Sequence, residues 1–145
     1  MRPVWLGILV LFVVGILGAA IFSPSPADQA TTHKQQDASE ARFQLALGGA
    51  LTLRKAMRNP SSFDLASALV ADDDSAVCYG YRAQNGFGGM NVDHAVLTRT
   101  AFVNSSDARF HKLWKQNCAA KGMHFYDLRD DVMAGLRQYD ALHNY

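Results

Sequence analysis

Two cysteines, Cys78 and Cys118, carry the most readily assigned chemistry in the chain. In an oxidising compartment an even pair reads as one disulfide; in a reducing one, as two buried thiols. The bond would close a loop of about 41 residues, which the chain-entropy account values at roughly 4 kcal/mol before strain. Arg82 is the second candidate. It alternates onto the same strand face as Cys78, where a partly buried guanidinium needs carbonyls or a carboxylate. That is either a structural network or a carboxylate-binding pocket. The third is the loop Asn85-Gly86-Phe87-Gly88-Gly89. It has neither the spacing of a dinucleotide fingerprint nor the Lys-Ser/Thr of a phosphate loop. It reads as a hairpin connection that uses Asn-Gly to reach positive φ. If it binds anything, Arg82, Asn85, Phe87, Gly88 and Gly89 are the residues to follow.

Other reactive types lack the right spacing. Asp72-Asp73-Asp74 has no EF-hand alternation and no distal glutamate, so it reads as a solvated turn. The five histidines, His33, His94, His111, His124 and His143, show no paired metal spacing. No Gly-x-Ser-x-Gly nucleophile elbow occurs. No metal and no cofactor are expected.

The elements that must position these residues follow from periodicity. Phe43, Ala46, Ala50, Leu53 and Met57 recur at helical steps, with Leu47 and Leu51 widening the stripe, giving a helix from Asp37 to Arg58 that Asn59-Pro60 ends. Gly48-Gly49 inside it costs propensity, and close backbone contact with another element would account for it. Three strands follow, Phe63–Ala71, Ala76–Gln84 and Asn91–Val103, with short polar or glycine turns between them. They form an antiparallel meander with one well-covered face and one partly covered. Ser105-Ser106-Asp107 starts a helix that Gly122 stops. Its face Phe110, Leu113, Trp114, Asn117 and Cys118 should lie on the sheet, with Trp114 as the largest anchor. A last helix begins at Asp127, with Leu128, Val132, Leu136, Tyr139 and Leu142 on one face. The fold class is α+β: an N-terminal transmembrane helix, a helix, a three-stranded antiparallel meander and one or two C-terminal helices packed on the sheet.

The address comes from the N-terminus. Val4–Phe22 is an uncharged, mostly apolar run. As a helix it spans roughly 28 Å, close to a bilayer core. It is long for a cleavable signal peptide, although Gly18-Ala19-Ala20 offers small residues for cleavage. An uncleaved signal anchor over residues 1–22 is the preferred reading, and secretion after cleavage the alternative. Arg2 precedes the run and the next basic residue is Lys34, so the N-terminus stays cytoplasmic and the rest is translocated. Residues 23–36 carry two prolines and no large apolar side chain, and read as a flexible linker. Residues 37–145 are then one small extracytoplasmic domain.

Composition removes some partners. Setting Arg2 aside, Lys and Arg balance Asp and Glu, so the exported part is formally neutral. It has no basic stripe for nucleic acid, and no nucleic-acid partner is expected.

Leu53-Arg54-Lys55-x-Met57-Arg58-Asn59-Pro60-x-Ser62-Phe63, Val77-Cys78-Tyr79-x-Tyr81-Arg82-Ala83-x-Asn85-x-Phe87-Gly88-Gly89 and Trp114-x-x-x-Cys118 form a combined pattern. Over about residues 45–120 it resembles small bacterial membrane-anchored or exported proteins, some from phage-related contexts. The resemblance favours a bacterial envelope, with the anchor in the inner membrane and the domain in the periplasm, over a eukaryotic secretory route, and it carries over no known function. In a eukaryotic secretory route Asn104-Ser105-Ser106 would be a glycosylation sequon.

The expected function is a non-enzymatic envelope domain, held to the membrane through residues 4–22, that binds another protein. One alternative is a periplasmic hydrolase-like enzyme with a site drawn from Asp64, His94, Arg82 and His111. It requires at least two of these in one polar cleft. Another is an immunity-like inhibitor of an envelope-acting toxin, marked by an acidic or aromatic exposed surface.

Overall fold

Ser25 opens the first helix. Its hydroxyl accepts from the Asp28 amide at 3.2 Å, while the Asp28 carboxylate accepts from the Ser25 amide at 3.2 Å and hydroxyl at 2.7 Å. This reciprocal capping, with Pro26 in the first helical position, satisfies amides that would otherwise have no partner. Helix α1 therefore runs Pro26–Ala56, starting eleven residues before Asp37. The stretch read as a flexible linker is helical from Pro26 onward. The computed structural model describes residues 25–143. The apolar run Val4–Phe22 lies outside them, and no helix among the described residues is long and apolar enough to cross a membrane. The chain divides between Ala38 and Ser39 into two units. In the first, the described side chains are almost all exposed; the sheet and its core belong to the second.

A 3-10 turn, Pro60–Ser62, follows α1. Then come β1 (Asp64–Ala71), β2 (Ala76–Gln84), β3 (Met90–Thr98) and β4 (Phe102–Asn104). Helix α2 (Phe110–Asn117), β5 (Phe125–Asp127) and α3 (Arg129–His143) complete the chain. All neighbouring strands are antiparallel, in the order β4-β3-β2-β1-β5. The fold is α+β, with a five-stranded sheet in place of the expected three-stranded meander.

Two differences account for the extra strands. The third expected strand breaks at Arg99-Thr100 and folds back, placing Leu97 opposite Phe102 and Val96 opposite Val103. No glycine marks this turn. Thr98 makes it instead: its hydroxyl oxygen accepts from the Ala101 amide at 3.0 Å, and the Thr98 amide donates to the Ala101 carbonyl at 2.7 Å. The second addition is β5, which returns beside β1 (Val70 opposite Tyr126) before α3 starts. Three residues are too few to show a strand period.

The larger core lies on the face of Val77, Tyr79 and Tyr81, under α1 and α3. β1 enters it through a bulge. Leu65 opposes Tyr81, but Ala68 opposes Tyr79, so the alternation shifts by one between Leu65 and Ser67. α1 comes very close to this face. A Cβ at Gly49 would sit 2.1 Å from the Tyr79 hydroxyl, which donates to the Ala46 carbonyl at 2.9 Å. Gly49 is thus a close-approach glycine, while Gly48 beside it faces open space. Leu142, placed by periodicity on the packed face of α3, is exposed, and Val132 and Leu136 do the packing.

The opposite face carries a smaller cluster of Ala76, Val96, Val103 and Phe110, with Leu113, Trp114 and Cys118 against it. Phe110 is the buried anchor of α2 and Trp114 is half-buried. Cys78 and Cys118 are bonded, with Cα atoms 5.8 Å apart. The bond fastens the C-terminal end of α2 to the middle strand.

Candidate functional site

The β2–β3 connection is braced from within. The Asn85 side-chain oxygen accepts from the amides of Phe87 (2.9 Å) and Gly89 (3.0 Å), and its amide group donates to Asn91 at 3.1 Å. The Asn85 backbone amide donates to the Gly89 carbonyl at 2.8 Å. Positive φ falls at Gly88 (+86°) and not at Asn85 or Gly86, which corrects the expected Asn-Gly turn. The Gln84 side chain donates to the Gly88 carbonyl at 3.0 Å. Asn85, Gly88 and Gly89 thus shape the loop, and Phe87 is held at its tip, 101% exposed relative to a free residue. Met90 and Val92, two residues apart on one face of β3, are exposed as well, at 53% and 72%.

Arg82 is on the Cys78 face, as alternation requires, but it is exposed and not partly buried. α2 covers only the Cys78 end of that face. Arg82 Nε donates to Asp64 at 2.8 Å, directly across the β1–β2 pair, and Arg129 approaches the same carboxylate at 3.8 Å. The buried arginine is Arg54 on α1, 8% exposed, which forks onto Asp140 of α3 with Nη1 at 2.9 Å. Arg54 lies four residues after Ala50, at the edge of the packed stripe, and in the sequence only its charge sets it apart from the core positions.

Of the four residues assigned to a possible enzyme site, two meet in one cleft, the number that reading requires. Asp64 and Arg82 line one depression with Arg129, but they are already paired to each other. His94 packs edge-on against Trp114 at 5.1 Å, and His111 against Phe110 at 5.6 Å. The aspartate turn is closed by Arg42, whose Nε meets Asp74 at 2.5 Å. Among the described residues no group of three metal-ligating side chains converges.

One cleft escaped the sequence. It measures about 230 Å³ where α1 ends beside the glycine loop, and is lined among others by Arg58, Tyr81, Asn85, Asn91, Asp93 and Asn104. The Tyr81 hydroxyl donates to Asp93 at 3.1 Å. Burial, with the Asp93 charge behind it, pushes the Tyr81 phenol up to about 12. These residues come from the bend after α1, β2, the β2–β3 loop, β3 and β4, and the strand pairing brings them together. No family model matches the chain, nor does any curated protein or solved structure.

Proposed function

We propose that the chain is a non-enzymatic, membrane-anchored domain of the bacterial envelope that binds another protein through the tip of the β2–β3 hairpin. The observation that carries this is Phe87. A phenylalanine wholly in water, on a loop braced by five hydrogen bonds or more around Asn85 and Gly88, gains nothing for this fold. With Met90 and Val92 it makes an aromatic and aliphatic patch, the composition enriched at protein contact surfaces. The apolar run Val4–Phe22 supports the anchor, and the balanced charge fits a partner other than nucleic acid.

A photo-crosslinking residue in place of Phe87, in the full chain in its own envelope, tests the reading. We expect one discrete protein adduct, lost when Met90 and Val92 are both changed to Ser. Absence of any adduct from abundant, folded protein would overturn the surface. A reporter active only outside the cytoplasm, fused after Tyr145, should be active, and the chain should stay in membranes through a high-salt wash. Release of a shortened soluble species would instead place cleavage near Ala20.

A further inference from the structure

The cleft at the end of α1 differs electrostatically from the other depressions that carry both signs of charge. Elsewhere the charges are matched internally: Arg54 with Asp140, and Arg82 with Asp64. In this cleft Arg58 and Asp93 are both present, and neither has an ion-pair partner among the described residues, including each other. Arg58 makes no hydrogen bond at all within the described chain. Its guanidinium lies against the loop at Gly86, where a Cβ would stand 2.9 Å from Nη1 and 3.2 Å from Cζ. The missing side chain is what lets the guanidinium settle there. Asp93 is fixed from two sides, by the Tyr81 hydroxyl at 3.1 Å and the His94 amide at 2.7 Å. Asp93 is thus held by its neighbours, Arg58 lies exposed at the rim, and neither charge is neutralised within the described chain.

A cleft with one unmatched cation and one unmatched anion favours a ligand carrying both charges over one carrying either alone, because a lone carboxylate meets Asp93, and a lone ammonium Arg58, as a like charge. The surroundings narrow the ligand further. Ala56 and Asn104 also line a second hollow of about 220 Å³, with Leu53, Phe102 and Val103. An apolar group extending from the charged end would enter it.

We propose that this cleft binds a small zwitterion, an α-amino acid with an apolar side chain. Its carboxylate sits on the Arg58 fork, its ammonium on Asp93, and its side chain against Leu53 and Phe102. A guanidinium fork suits the planar carboxylate, and a carboxylate whose remaining lone pairs face the cleft suits the ammonium. The cleft and the Phe87 patch are separate features, so either holds if the other fails.

Leucine of either hand, 4-methylpentanoate (the same chain without the ammonium) and 3-methylbutylamine (without the carboxylate) are titrated into the full chain and followed by NMR shifts. We expect saturable binding of one leucine enantiomer with a Kd of about 1 mM or tighter, and at least about tenfold weaker binding of both single-charge analogues. Arg58→Gln and Asp93→Asn should each weaken leucine by at least about tenfold, and Arg82→Gln, outside the cleft, should leave it unchanged. Asn at 93 can still accept from Tyr81, so that variant tests charge and not folding. Gly86→Ala should also weaken binding, by displacing the guanidinium. Equal binding of 4-methylpentanoate, no saturation by either leucine, or leucine binding that survives both charge variants would each overturn the proposal.

Discussion

Tyr79 and Tyr81 carry two of the few polar atoms in the main core, and both phenols are raised, chiefly by burial. A group whose pKa is raised on folding contributes stability that is complete below its unfolded value, near 10, and is lost as pH climbs towards the folded value. For Tyr81 that window closes at about 12. Denaturant midpoints should therefore fall steadily above pH ~10, and Tyr81→Phe should flatten the decline. A midpoint flat through that range would contradict the burial of both hydroxyls. The adjacent glycines of α1 supply a sharper contrast. Gly48→Ala meets nothing within 4 Å and should stabilise by about 1 kcal/mol through helix propensity. Gly49→Ala drives a methyl into the Tyr79 ring and should cost about 1–3 kcal/mol. Thermal or denaturant unfolding of the two variants reads this directly, and equal effects would mean that α1 does not ride so close to the sheet.

Elements show where local chemistry sufficed and where it was overridden. Strand β2 and the turn at Asp72–Ser75 match the expected bounds, because turn residues flank an alternating run. α1 began earlier than periodicity suggested, because its first turns have no apolar stripe and are set by the Ser25 cap alone. Ser25→Ala should therefore cost about 1 kcal/mol of local helix stability. Amide exchange should quicken over residues 26–36 and stay unchanged in the sheet. Uniform exchange in both would show that the cap is not what starts the helix. The break at Arg99-Thr100 went unseen for the opposite reason: β-prone residues run through it, and the turn depends on one threonine side chain folding back. The short α2 stops at Asn117, well before Gly122, and its late start is set by Asp107. Its carboxylate accepts from the Arg109 amide at 2.8 Å and pairs with the Arg109 guanidinium. That contact holds the acid down to about 2 and delays the helix to Phe110.

For the whole molecule the disulfide is the main long-range constraint on the partly covered face. α2 buries only Phe110 fully, so apolar contact alone holds it weakly. Reduction should lower stability by up to roughly 4 kcal/mol on the chain-entropy account, with α2 amides exchanging first. Losing one cysteine should cost about as much as losing both, because a single bond is removed either way. Two alkylatable thiols in protein taken straight from the envelope would overturn the bond. On the other face Arg54 and Asp140 join α1 to α3 across 86 residues of chain, a tie that helps set how the two helices lie together on the sheet.

Residue type and short-range order were sufficient for the α+β class, the first two strands, the glycine hairpin and the cysteine pair, because each depends on periodicity, turn chemistry or simple count. They also singled out Phe87 and its loop. Tertiary structure alone decided which arginine is buried, which is paired and which is unmatched. Arg54, Arg58 and Arg82 are alike in sequence. They differ only in what the fold puts opposite them: Asp140 from the last helix, an open cleft, and Asp64 from the neighbouring strand β1. The pairing of Asp93 with Tyr81 and its distance from any cation are likewise properties of register. Local sequence carries backbone preferences over a few residues, whereas an ion pair or a cleft is a coincidence of distant segments, and the packing of α1, α3 and α2 on the two faces of the sheet creates it.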